Sequence, residues 1–351
     1  MTDSLAPIVA QHYNQIQEKG LEERKQSRIF HMRNLNNWVK SMLIKEFAEK
    51  LKEERDRDKK IVLDIGAGKG GDLLKWKKGG IDYLVCADIA ETSVEQCKQR
   101  YMEMKDRHKR QRERGYCFDA EFITADCTKQ RLKDLYQNPD IQFNIVSIQF
   151  AFHYCFESLA QARTMLQNVS ECLKPGGYFI GTLPDAYEIM KRLEDAEDCT
   201  FGNDVYSISF PSKDIPKLFG AKYDFHLEGV VDCPEFLVYF PAFLKLAEEV
   251  DLELLYSTPF ADYFDEKQKI KEGQFLLTKM QSLETYPPFL KNQVLMGCDD
   301  EYYHAKEKLK LITSDKESDK DHVGTLSQSE WEVASMYVVF AFRKKEKTVS
   351  A

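Results

Sequence analysis

The stretch "IVLDIGAGKGGDLLKW", residues 61–76, constrains the fold more than any other part of the chain. A short run of strand character enters a cluster of glycines, and a helical pattern opens behind them. Gly66, Gly68 and Gly71 satisfy G-x-G-x-x-G. Glycines at these positions permit a tight turn and let a ligand approach the backbone closely. From Ile61 onward the same rhythm repeats. Strands are expected at "IVLDI", "YLVCAD", "AEFITAD", "FNIVSIQ" and "GYFIGT", with helices between them at 70–78, 91–107 and 157–172. This alternation predicts a mostly parallel sheet covered by helices on both faces. Right-handed crossovers bring the carboxyl ends of the strands to one edge, where ligands bind.

The flanks read differently. Residues 1–59 read as an N-terminal helical arm, in which Ile29, Met32, Leu35, Val39, Met42, Leu43 and Phe47 recur at near-helical spacing. Residues 60–351 form the main domain, with an inserted lobe of short strands and a helix at about 186–250. The polar run at about 299–324 reads as a mobile loop. "LELLYSTPF" looks like a returning strand and "ASMYVVFAF" like a strong strand near the C-terminus. An apolar fraction of 43%, with 22 Phe and 17 Tyr, supplies a sizeable core. A net charge of −8 excludes a uniformly polyanion-binding surface, so any nucleic-acid contact needs a local basic patch. The nine cysteines form no CxxC pair and suit reduced thiols. Neither a signal peptide nor an apolar run of about 18 residues is found, so no membrane association is expected.

The glycine loop alone serves a dinucleotide, S-adenosylmethionine or a plain tight turn. Asp88, at the next strand end, can accept the protons of both ribose hydroxyls. Asp126, at a third strand end, can accept an adenine amino group, and Asp64 can face the cationic end of a ligand. Such carboxylates suit a sulfonium and an ammonium better than a pyrophosphate. With the Pro-Gly-Gly turn at 175–177, they resemble the Rossmann-like S-adenosylmethionine-dependent methyltransferase fold; that resemblance implies a mostly parallel seven-stranded sheet with an antiparallel last strand, which "ASMYVVFAF" suits. In "IVSIQFAFHYCF", Gln149, His153 and Tyr154 interrupt an apolar run, and buried polar groups need partners.

Longer motifs narrow the resemblance. "SRIFHMRNLNNWVKSMLI", "LDIGAGKGGDLLKWKKG", "SIQFAFHYCFES", "YDFHLEGVVDCPEFLVYF" and "GTLSQSEWEVASMYVVFAF" are similar, in order, to the eukaryotic mRNA cap guanine-N7 methyltransferases. Ala67 departs from the Cys usual in that family, in a loop that works through its backbone; the basic insert at 105–114 receives no role. The resemblance implies S-adenosylmethionine contacts at Lys40, Gly66, Asp88, Asp126, Gln149 and Tyr154, beside the Asp64 and Gly68 already singled out. It implies cap contacts at Asn36, Asn37, Lys69, Lys75, Arg100, His153, Glu235 and Tyr337, with Phe150 as a wall for the base.

The chemistry is consistent with those roles. Lys69, Lys75 and Arg100 suit a triphosphate bridge. One Glu235 carboxylate can accept N1–H and the 2-amino group of guanine, a donor pair that adenine lacks. Guanine N7 carries no proton, so no general base and no metal are expected; an in-line displacement would work by alignment and electrostatics. The family further implies a nuclear enzyme, capped RNA as substrate, a small activating subunit, and contact with the capping and transcription machinery. Rival readings are a silent cap- or RNA-binding subunit, which predicts a damaged cofactor loop, and a small-molecule methyltransferase, which would not need the basic residues. A capping guanylyltransferase would need KxDG, and "KYDF" lacks the glycine. A nicotinamide oxidoreductase fits the last strand poorly.

Overall fold

A computed structural model describes residues 5–15, 20, 23, 25–54, 58–111, 116–215, 217–289, 294–314 and 321–346. The alternation beginning at Ile61 folds as strands β1 (Ile61–Ile65), β2 (Tyr83–Asp88), β3 (Asp119–Thr124), β4 (Phe143–Gln149) and β5 (Leu173–Pro184). These are parallel and pair β4 with β5, β1 with β4, β1 with β2, and β2 with β3. A strand at Tyr337–Lys344 inserts antiparallel between β5 and the returning strand Leu252–Pro259, completing seven strands. The chain moves outward in one direction from β1 through β2 to β3, and in the other from β4 to β5. The crevice between β1 and β4 is therefore the switch point at which α/β sheets bind ligands.

Two apolar layers cover the sheet. Helix α1 (Ala6–Gln15) packs against the helix at Glu91–Arg110 and the strand at Val231–Phe236. Helix α2 (Phe30–Glu54) buries Met32, Leu35, Trp38, Val39, Met42, Leu43 and Phe47 on one face, together with Val62, Ile145, Ile180 and Val339 of the strands. The predicted arm is thus built into the core. Cutting Phe47 back to Ala would cost about 3–5 kcal/mol, the usual toll for a fully buried aromatic. On the opposite face, Leu63, Val146, Phe179 and Phe340 pack against Leu166 and Phe243. Phe152 is fully buried there, with its ring centroid 4.4 Å from that of Phe243. Among the described residues, no helix is long and apolar enough to cross a membrane.

Local signals set the helix ends. Gly80, at φ 66°, ends the helix α3 (Leu73–Gly79). Helix α4 (Glu91–Arg110) reaches into the basic insert, of which residues 112–114 lie outside the described part. Ser158 caps helix α5 (Leu159–Ser170), accepting from the Gln161 N–H at 3.3 Å. The segment read as an inserted lobe holds helix α6 (Ala186–Asp195), a four-stranded antiparallel sheet and helix α7 (Phe240–Glu249), whose Phe243 packs on the main sheet. The sheet's strands are β6 (Thr200–Gly202), β7 (Tyr206–Ser209), β8 (Lys222–Leu227) and β9 (Val231–Phe236).

One expectation is corrected. The run 299–324, read as a mobile loop, contains a 3-10 turn at Asp299–Tyr302, a helix at Tyr303–Ser314 and a strand at Val323–Thr325. Its residues 315–320 lie outside the described part. Tertiary contacts order a segment whose composition suggested otherwise. Tyr302 is fully buried, stacks on Tyr286 at 5.4 Å and donates to Glu284, while Arg28 holds Glu301 at 2.8 Å.

Candidate active site

At the switch point the chain leaves β1 and makes the glycine turn. Gly66 sits at φ 71°, and a Cβ there would meet the Ala151 methyl at 2.6 Å. At Gly70, φ 77°, an added Cβ would meet the Leu73 side chain at 2.7 Å and the Cys97 sulfur at 2.9 Å. Gly66, Gly68 and Gly70 are thus the left-handed glycines of the loop, whereas the motif reading placed weight on Gly71 rather than Gly70. Above the loop lies a cavity of about 500 Å³, a size usual for small-molecule sites. Lys40, Gly66, Gly68, Asp88, Asp126, Gln149 and Tyr154 line it, as do Asn37, Lys69, Arg100 and Phe150.

Asp88 accepts from the Gly68 N–H at 2.8 Å and the Ala90 N–H at 2.9 Å. These bonds aim the carboxylate and leave lone pairs for the cavity. Burial raises its pKa, and the backbone donors partly offset that rise. Asp126 accepts from the Thr128 N–H at 3.0 Å and its hydroxyl at 2.6 Å, and lies 3.3 Å from Lys129. Gln149 is held by Ser147 at 3.2 Å and by the Thr182 hydroxyl at 3.3 Å, which answers what its buried amide bonds.

Asp64 and Lys75 are placed otherwise. Asp64 is buried beneath the loop, outside the cavity lining, and accepts from the Trp76 indole N–H at 3.2 Å. Burial, with help from the Asp72 carboxylate, pushes its pKa up to about 7. Lys75 is turned inward to Asp72 at 2.7 Å, the Asn37 Oδ1 at 3.0 Å and the Gly71 carbonyl at 2.9 Å. An ammonium has three donors, so none remains for a phosphate. Burial lowers the Lys75 pKa, against the pull of Asp72.

Asp72 is the residue the sequence reading missed. It is buried and bridges Lys75 to Lys40, which lies 2.9 Å away. Burial alone would raise its pKa, but the two ammonium groups more than reverse this and hold it well below the usual range. Its signal was its position at the mouth of helix α3 directly behind the glycines. Helix α1 was also missed as a site element: Leu5, Ala6, Val9 and Tyr13 roof the cavity. The Tyr13 hydroxyl pairs with that of Tyr154 at 3.0 Å, and the Leu5 N–H donates to Glu157 at 2.7 Å.

A second group adjoins the cavity behind Tyr154. His153, on the 3-10 turn Phe152–Glu157, is 2% exposed. Its Nε2 lies 3.3 Å from the Glu235 Oε1 but off the direction a hydrogen bond requires. Both ring nitrogens therefore lack a hydrogen-bond partner among the described residues. Glu235, on β9, is buried and its Oε2 accepts from the Tyr223 hydroxyl at 2.7 Å. Phe150 adopts φ 57°, a strained conformation for a non-glycine residue and common at ligand sites. Its ring meets that of Tyr337 edge-on at 5.0 Å, and Phe260 completes the aromatic group. Tyr154 bonds Tyr13 on one side and the Cys233 sulfur, 3.4 Å away, on the other. Asn36 lies outside the cavity lining, and its buried Oδ1 has no partner among the described residues.

The first group fits S-adenosylmethionine. Its floor is backbone that no side chain could share at Gly66, Asp88 retains acceptor capacity, and Asp72 pairs with both Lys40 and Lys75. The mRNA (guanine-N(7))-methyltransferase domain model matches residues 1–345. The Drosophila melanogaster mRNA cap guanine-N(7) methyltransferase is 49% identical over 347 residues, covering 97% of this chain and 78% of that one. The Caenorhabditis elegans enzyme of the same name is 45% identical, with 96% and 87% covered, and the Schizosaccharomyces pombe enzyme 36%, with 96% and 82%. The chain belongs to the mRNA (guanine-N(7))-methyltransferase family, and it is an S-adenosylmethionine-dependent enzyme.

Proposed function

We propose that this chain methylates N7 of the terminal guanosine of GpppN-capped mRNA, using the two adjoining groups for donor and acceptor. The observation that carries the reading is the buried His153–Glu235 pair beside strained Phe150, directly across Tyr154 from the glycine-loop cavity. S-adenosylmethionine, when bound, supplies the electrophilic methyl group. Lys40, Gly66, Gly68, Asp88, Asp126, Gln149 and Tyr154 hold it. Asp64 supports the loop through Trp76.

On the acceptor side, Glu235 takes the N1–H and 2-amino protons of guanine, and His153 donates to O6. Phe150 and Tyr337 bound the base. Lys69 and Arg100, at the cavity wall, serve the triphosphate; the Arg100 guanidinium is aimed by its bond to the Lys69 carbonyl at 2.9 Å. Lys75 acts through Asn37, whose Oδ1 it holds. Asn36 is left to accept from the cap. No residue removes a proton, because N7 is already a lone-pair nucleophile. Alignment of the reacting atoms can supply roughly 7–11 kcal/mol in favourable cases. The Glu235 carboxylate favours the charge that develops on guanine.

The division into an arm at 1–59 and a main domain with a cap-binding lobe at about 186–250 belongs to this reading, with Glu235 on that lobe. Nuclear residence, a small activating subunit and contact with the capping and transcription machinery rest on family membership alone. The test is transfer of label from S-adenosylmethionine to RNA ending in GpppN or in plain triphosphate. Labelling of the capped RNA alone is expected; equal labelling of both would defeat the reading.

A further inference from the structure

We infer that Tyr223 is a positioning residue that sets guanine specificity by clamping the Glu235 carboxylate. The inference rests on the assignment of Glu235 to the guanine edge. Tyr223 and Glu235 are directly opposed across the β8–β9 ladder, so both side chains stand on one face of the lobe sheet. The Tyr223 hydroxyl donates to the Glu235 Oε2 at 2.7 Å, and both residues are buried, at 1% and 4% exposure. The Tyr223 ring is itself fixed against Phe210, 5.3 Å between centroids.

The terminal torsion of a glutamate is broad, so a free carboxylate samples many orientations. A guanine edge needs one of them. Its N1–H and 2-amino donors lie side by side and meet a carboxylate only when both oxygens share their plane. A carboxylate has about four lone-pair directions. Tyr223 occupies one on Oε2 and so fixes the plane, and the others remain for the base. Burial and the neighbouring carboxylate raise the phenol pKa far above its ordinary value, so the hydroxyl stays a donor throughout the working range. A purely structural tyrosine would affect every substrate alike. A clamp affects most the substrate that uses both oxygens.

The experiment compares guanosine-capped RNA (GpppA) with inosine-capped RNA (IpppA), which lacks the 2-amino group, in wild type, Tyr223→Phe and Glu235→Gln. Binding of S-adenosylhomocysteine by calorimetry reports that each variant is folded. Tyr223→His, which returns a donor on a smaller ring, is the companion variant. For Tyr223→Phe, KM for the guanosine cap is expected to rise roughly tenfold with kcat little changed, the usual scale for one buried hydrogen bond to a charged group. KM for the inosine cap should rise less, so the preference for guanosine shrinks, and Tyr223→His should restore part of it. An unchanged guanosine-to-inosine ratio in Tyr223→Phe, alongside a collapsed ratio in Glu235→Gln, overturns the clamp and leaves the guanine assignment standing. An unchanged ratio in Glu235→Gln overturns that assignment, and the clamp with it.

Discussion

The two halves of the site are built on opposite plans. On the donor side the protein's own groups pair with one another: Asp72 with Lys40 and Lys75, and Asp88 with two backbone N–H groups. On the acceptor side His153 is buried with neither ring nitrogen hydrogen-bonded among the described residues, and Phe150 is held in a strained conformation. An unsatisfied buried polar group costs about 1–3 kcal/mol, so the acceptor half stores a deficit that a ligand can relieve. The donor half is a preformed socket. On the proposed assignment of the two groups, the fold supports cofactor binding by itself, whereas base recognition is completed by the substrate.

The sharpest way to break the contrast is Asp72→Asn. It leaves two ammonium groups facing a neutral amide, and stripping one member from such a buried cluster costs about 3–5 kcal/mol. Chemical denaturation should show that loss at neutral pH. Because Asp72 titrates well below the usual carboxylate range, its contribution is present above the unfolded pKa of 3.8 and fades as pH falls below it. The difference between wild type and variant should therefore narrow in strong acid.

Asp64 has the opposite sign. Its folded pKa of about 7 stands above the unfolded 3.8, so the folded state binds the extra proton. The penalty for its charge is absent below pH 4 and complete above pH 7. Asp64→Asn, which keeps an acceptor for Trp76, should melt higher than wild type at pH 8 and show little advantage at pH 4. A constant difference across that range would mean that the carboxylate is not desolvated.

The smallest effect is expected at His153. His153→Phe removes two unsatisfied nitrogens from a buried position, so stability should hold or rise by about 1 kcal/mol. KM for capped RNA should increase at the same time. A substantial loss of stability would show that the imidazole is already satisfied in the free protein.

The sequence displayed the donor half better than the acceptor half for physical reasons. A glycine turn between strand and helix has a local signature, and Asp88 follows from strand-end geometry alone. Asp72 was passed over because its role depends on Lys40, which arrives from a different helix. Tyr13 was passed over because helix α1 reaches the cavity only through the tertiary fold. Lys75 looked like a phosphate ligand because a charge run does not disclose which ammonium turns inward. The segment 299–314 looked mobile because composition carries no record of Arg28 or Glu284. Glu235 and His153 were named through family resemblance. Their lack of mutual hydrogen bonding became visible only in three dimensions.

The most direct measurement pairs two assays on Glu235→Ala: S-adenosylhomocysteine affinity by calorimetry, and methyl transfer to GpppA-capped RNA. If the donor half is preformed and the acceptor half carries base recognition, cofactor affinity stays within about twofold of wild type while transfer falls by roughly a hundredfold, the scale for losing a buried charged contact. A parallel fall in both would contradict the account, because it would make Glu235 a support of the cofactor socket.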